Sequence, residues 1–159
     1  MTTLGEIRAM MRSDEFEGLA DILALGDEAV APLLRLAGSS SEPSIIRQRA
    51  IVALGEMGAQ AAVAPLRSLL RDQDRVLRVM AIRALVKILG ESAAPDLTAM
   101  LSDDEPSVAI AAARALGQVV SAGRGEAGAV LDALAGLPDD AHPSLVRAAE
   151  EARAAILER

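Results

Sequence analysis

Few residues in this chain have the type and spacing to do chemistry, and each also has a plain structural use. Gly123-Arg124-Gly125-Glu126-Ala127-Gly128 matches the G-x-G-x-x-G pattern of dinucleotide sites. That chemistry needs a buried strand before the glycines and a helix opening after them. The residues ahead of it, Ala111 to Val120, have helical periodicity instead, so the segment reads as a loop insertion. His142 is the only histidine and there is no cysteine, so a zinc site lacks its usual four ligands. Within Asp139-Asp140-Ala141-His142-Pro143 it reads as a turn or cap residue. The carboxylate runs Asp103-Asp104-Glu105, Asp139-Asp140 and Glu150-Glu151 offer acid/base pairs or calcium ligands in principle. No Asp-x-Asp-x-Asp-Gly loop accompanies them. The first two runs precede helices, where negative charge favours the positive end of the dipole, and the third is a solvated helix face. The expectation is a chain with no catalytic residue, no cofactor and no metal.

Charged residues that recur at fixed spacing point to the elements beneath. Arg47 and Arg78 stand 31 residues apart, as do Asp72 and Asp103. They form either a charged row on a binding surface or an Asp–Arg ladder near the turns. The ladder is the expectation, because stacked repeats satisfy polar turns through their neighbours. Ala109 interrupts it in the third repeat. The same 31-residue offset relates Ala53-Leu54, Ala84-Leu85 and Ala115-Leu116, and also Ala50, Ala81 and Ala112. It relates Leu66 to Leu97 and Leu70 to Leu101 as well.

Each unit reads as two helices. The first follows a polar turn (Ser39 to Glu42, Arg71 to Asp74, Ser102 to Glu105), with Pro43 and Pro106 in the first helical turn. Ile46, Ala50, Ala53, Leu54 and Met57 then share one face of a 3.6-residue helix. Gly55, Gly58, Gly90 and Gly117 lie near that helix's end and are expected as left-handed caps. The second helix begins near Pro32, Pro65 or Pro95.

Composition agrees. Hydrophobic residues make up 52% of the 159, yet aromatics make up 1%, and Phe16 is the only one. A core of Ala, Leu, Ile, Val and Met suits close helix packing better than a β-sandwich. No apolar run is long enough for a signal peptide or a membrane span, so a soluble cytoplasmic protein is expected. The net charge is −7, with 9 basic and 11 acidic residues over 1–80 against 7 and 12 over 81–159. An acidic surface repels phosphate backbones, so nucleic acid is not an expected partner, and neither is a membrane.

The segment EPSIIRQRAIVALGEMGAQAAVAPLRSLLRDQD, Glu42 to Asp74, resembles a HEAT repeat, closest to the short HEAT-like type of the phycobilin lyases. The next unit keeps the pattern with Val86 in place of the glycine, and the third keeps Pro106, Val108 and Ala115-Leu116-Gly117. The resemblance implies an all-α fold, an α-solenoid of helical hairpins forming a single domain over 1–159. Its parts are an N-terminal cap and degenerate hairpin (1–38), repeats at 42–74, 75–105 and 106–138, and a capping helix (141–159). In the N-terminal part, Thr3-Leu4-Gly5-Glu6 fits a capping box and Phe16, Leu19, Ala20 and Leu23 share a face. Six extra residues between Pro106 and Pro143 are expected at Ser121 to Gly128, and the last helix is expected to start near Pro143.

In such solenoids the second helices line the concave face, which implies Arg35, Arg67, Arg71 and Thr98 as exposed partner-binding positions. The function implied is a bacterial-type, non-catalytic adaptor that binds another protein, with this basic spot contacting an acidic segment of the partner. HEAT-like DNA glycosylases grip lesions with aromatics and a basic face, and HEAT-like diiron hydroxylases use repeated His-Glu pairs; this chain has neither. Two alternatives remain. One is an accessory subunit of a bilin lyase, against which stand the missing cysteine, aromatics and second histidine. The other is a self-associating module pairing through an exposed Met10-Met11 edge.

Overall fold

The computed structural model describes residues 2–12, 18–121 and 127–159, and all secondary structure among them is helical. Among the described residues ten α-helices run in order: α1 (Leu4–Met10), α2 (Leu19–Ala24), α3 (Asp27–Gly38), α4 (Ser44–Glu56), α5 (Val63–Leu69), α6 (Arg75–Leu89), α7 (Ala94–Ala99), α8 (Pro106–Val119), α9 (Ala127–Ala135) and α10 (Pro143–Leu157). The repeat is visible in their lengths. Long α4, α6 and α8 alternate with shorter α5, α7 and α9, and 3₁₀ turns at Gln60–Ala62 and Gly90–Ala93 lead into α5 and α7. This is the all-α, helical-hairpin class that the 31-residue offset predicts. The chain forms two compact units, Met1–Ile88 and Leu89–Arg159.

In the first unit α4 packs against α3, and α1 also contacts α3. The alternation of large and small side chains makes this possible. Leu33, Leu36, Ile51, Leu54 and Leu66 are fully buried, while Ala50 and Ala53, also without exposure, let the helix axes approach. The capping box is present at the N-terminus. Thr3 Oγ1 accepts from the Glu6 amide at 3.3 Å, and Glu6 Oε2 accepts from the Thr3 amide at 2.6 Å. Those bonds hold the Glu6 carboxyl below its ordinary range.

In the second unit α8 lies against α10 and α7, and α9 packs on α10. Val108, Ala112, Ala113, Leu116 and Ile156 close its core. Helix α10 starts at Pro143 as predicted, with His142 as its N-cap. Its outer face, Arg147, Glu150, Glu151, Arg153 and Glu158, is exposed, as a terminal helix requires.

Several expectations are corrected. Gly58 and Gly90 do take left-handed φ values, +61° and +56°, but Gly55 and Gly117 sit inside α4 and α8. Their use is close approach: a Cβ on Gly117 would meet Ala152 Cα at 2.8 Å, and one on Gly55 would meet Ala84 Cα at 3.1 Å. Pro32 lies inside α3 because that helix absorbs the turn that is 3₁₀ before α5. Pro43 is the N-cap of α4 and not its first residue. On α2 it is Ile22 that is buried, while Leu23 is 36% exposed and Ala20 faces out. Helix α2 begins only after Gly18, whose missing Cβ leaves room for the Met10 carbonyl, so the face counted from Phe16 does not apply. Phe16 itself lies outside the described residues. Met11 is fully buried and Met10 half-buried, so the two form no exposed apolar edge. Of the glycine-rich segment only Ala127 and Gly128 are described; they open α9, and the residues ahead of the segment form α8 and not a strand.

Candidate functional site

The recurring arginine column is a buried position. Arg47 has 12% of its side chain exposed, Arg78 is 8% exposed, and Ala109, in the same column, is completely buried. Arg47 Nη2 meets Asp72 Oδ2 at 2.7 Å while its Nε donates to the Ala37 carbonyl at 3.0 Å. One guanidinium thus joins the end of α3 to the turn after α5. Arg78 donates to the Asp72 carbonyl at 2.8 Å. Asp72 Oδ1 also accepts from the Asp74 amide at 2.9 Å, and Asp103 Oδ1 accepts from the Glu105 amide at the same distance. The two aspartates therefore shape the same turn in successive repeats. Beside them, Asp74 Oδ2 accepts from Ser44 Oγ at 2.5 Å and Oδ1 from the Val76 amide at 2.9 Å. The Ser44 hydroxyl, then the Val76 and Leu77 amides and the Arg47 charge, hold the Asp74 carboxyl below its ordinary value. These charges tie the repeats together; they are not arranged on a surface to meet a ligand.

Arg35, Arg67 and Arg71 are exposed in the first unit, on α3 and on or just after α5. The groove between those helices, about 250 Å³, is lined by Leu34, Ala37, Leu66 and Leu69 with Arg47 and Asp72 at its side, and the three arginines stand outside it. Thr98 belongs to the second unit, on α7, and is half-buried. It borders a cleft.

That cleft, about 870 Å³, opens between the turn after α7 and the connection from α9 to α10. Leu101, Leu137, Pro138 and Leu145 give it an apolar floor, and Asp103, Asp104 and Asp140 stand around it. His142 is at its edge, with Nδ1 accepting from the Ser144 amide at 3.2 Å. No arginine or lysine lines it among the described residues. Residue spacing alone does not bring these positions together. The cleft's signal in the sequence was the run Gly136-Leu137-Pro138-Asp139-Asp140-Ala141-His142-Pro143, too rich in turn residues to continue a helix. Among the described residues no group of three or more His, Cys, Asp or Glu side chains is placed to hold a metal ion. None of their helices is long and apolar enough to cross a membrane.

Stacked hairpins, alanine-lined contacts and an arginine–aspartate tie at the turns define a helical-repeat protein. The family profile of HEAT repeats matches the chain twice, over residues 16–85 and 64–154, and the chain belongs to that family. The match is to HEAT repeats in general. Among solved structures, the crystal structure of an engineered protein is similar at 20% identity, covering 98% of this chain and 80% of that one, with a TM-score of 0.58. At that identity the likeness concerns the fold alone. No curated protein matches the chain significantly.

Proposed function

We propose that this chain is a non-catalytic scaffold that binds another protein through the outward side chains of its short second helices. One observation carries the reading. Helices α3 and α5 bury Leu33, Leu36, Leu66 and Leu69 while turning Arg35 and Arg67 to solvent, with Arg71 exposed just beyond. HEAT-repeat families commonly use such surfaces as protein-interaction scaffolds, which need shape and a row of side chains and no chemistry. The partner segment is acidic, to match the arginines. A cytoplasmic, bacterial setting belongs to the same reading.

Affinity capture of the tagged chain from lysate, followed by mass spectrometry, tests it. A single protein retained by the wild type and lost with Arg67→Glu/Arg71→Glu supports the assignment. Equal capture by that variant removes the arginines from the contact, and recovery of the bait alone removes the scaffold reading.

A further inference from the structure

The protein's whole net charge resides in one unit. Residues 1–88 carry 11 basic and 11 acidic side chains, whereas residues 89–159 carry 5 and 12. The second unit therefore has a net −7, and the cleft in it has carboxylates at its edge and no arginine or lysine in its lining. Charge of one sign around a low-dielectric concavity focuses its field into the opening.

We infer that this cleft docks a cationic segment of a partner protein, one carrying arginine or lysine beside an apolar side chain. The proposal rests on the scaffold reading only in taking a protein as the partner; the surface and the sign of its charge differ from those of the exposed arginines. The geometry assigns each half of such a segment. Leu101, Leu137, Pro138 and Leu145 take the apolar side chain, and burying it supplies the favourable contact. Asp140, exposed on the α9–α10 connection, faces the cation, and Asp104 adds to the field from the turn before α8. At about 870 Å³ the cleft has room for a few residues of extended chain and not for a folded domain. A nucleic acid is repelled by the same carboxylates. A polyamine would satisfy the charge and leave the leucine floor uncovered.

The test uses the intact chain and a fluorescein-labelled heptapeptide of alternating arginine and leucine, read by fluorescence anisotropy. Two control peptides replace every arginine by glutamate, or every leucine by glycine. The arginine–leucine peptide binds, and both controls bind at least about tenfold more weakly. Asp140→Lys weakens it by about tenfold or more, whereas Glu150→Lys, an equal charge change on the outer face of α10, alters it less than about threefold. Ala133→Leu, which fills the cleft wall without touching a charge, also weakens binding; this holds the test open should Asp140→Lys fail to fold. Arg67→Glu/Arg71→Glu leaves it unchanged, which separates this site from the one tested by capture. Equal loss with Glu150→Lys, equal affinity for the glycine–arginine peptide or for spermine, or no measurable binding overturns the proposal. So does concentration-dependent dimerisation abolished by Asp140→Lys, which would give the cleft to a second copy of the chain.

Discussion

Arg47 holds two segments of chain through one planar group, and its removal exposes how much of the first unit depends on it. Arg47→Ala takes a donor from the Ala37 carbonyl and from Asp72 Oδ2 in a site only 12% and 17% exposed at the two side chains. The expected loss is about 1–3 kcal/mol in chemical denaturation. Arg47→Lys should recover part of it at most, since an ammonium lacks the guanidinium's fixed fork. Asp74 gives the same turn a pH dependence. Its folded pKa lies below the ordinary aspartate value of 3.8, chiefly because Ser44 donates to it. The native state therefore binds this proton less readily than the unfolded chain does. The stabilisation is complete above the unfolded value and is lost as pH falls through the folded one. Asp74→Asn should be less stable than the wild type near neutrality, with the gap closing in acid; a gap independent of pH would contradict the assignment. The charged columns were legible in the sequence because both residues recur at the 31-residue offset, and their structural use followed from the stacking of repeats. The cleft at Asp140 and His142 was not. Its residues come from irregular backbone, where no period links a position to a face.

Helix packing explains what sequence spacing left open. Glycine after Ala-Leu reads equally well as a helix end or as a contact, and only the neighbouring helix decides. At Gly117 it decides for contact. Gly117→Ala would normally gain up to about 1 kcal/mol from helix propensity, but the new Cβ would lie 2.8 Å from Ala152 Cα and 3.0 Å from its Cβ. Helix α8 or α10 must shift, and the net effect should be a loss of about 1–3 kcal/mol, partly rescued by Ala152→Gly in the double variant. Gly55→Ala, facing Ala84 Cα at 3.1 Å, should cost less. A stabilised Gly117→Ala protein would show that the two helices do not meet there. In the long helices a core position could be named directly: Leu85 is fully buried, and Leu85→Ala should cost about 2–5 kcal/mol by thermal or chemical melting. In short α2 the sequence misled, because six residues contain too few turns to fix a face and Gly18 resets the start.

At the scale of the whole chain, two compact units share one repeat pattern and differ in charge. The first is balanced at 11 basic and 11 acidic residues; the second has 5 and 12. Like charges in the second unit repel one another in the compact state, and added salt screens that repulsion. Hydrogen exchange compared at low and moderate salt should therefore show amides of 89–159 gaining more protection than those of 2–12 and 18–88. Equal gains would mean that the acidic residues are already neutralised locally. The division between units was not visible in the repeat, because the boundary at Ile88 falls within α6 and leaves the 31-residue offset intact.

The tie made by Arg47 also sets how such a chain can lengthen or shorten over generations. Its guanidinium draws on a carbonyl at residue 37, ahead of its own helix, and on a carboxylate at residue 72, beyond the next one. A duplication or deletion of one whole 31-residue unit keeps residue 47 in step with the carbonyl ahead of its helix and the carboxylate beyond the next one. A change of another length between residues 37 and 72 takes a half-buried guanidinium away from its acceptors. Inheritance around Arg47 is thereby quantised: whole hairpins are gained or lost more readily than fractions of them, and length drift is left to units such as the third, where Ala109 stands in the arginine's place.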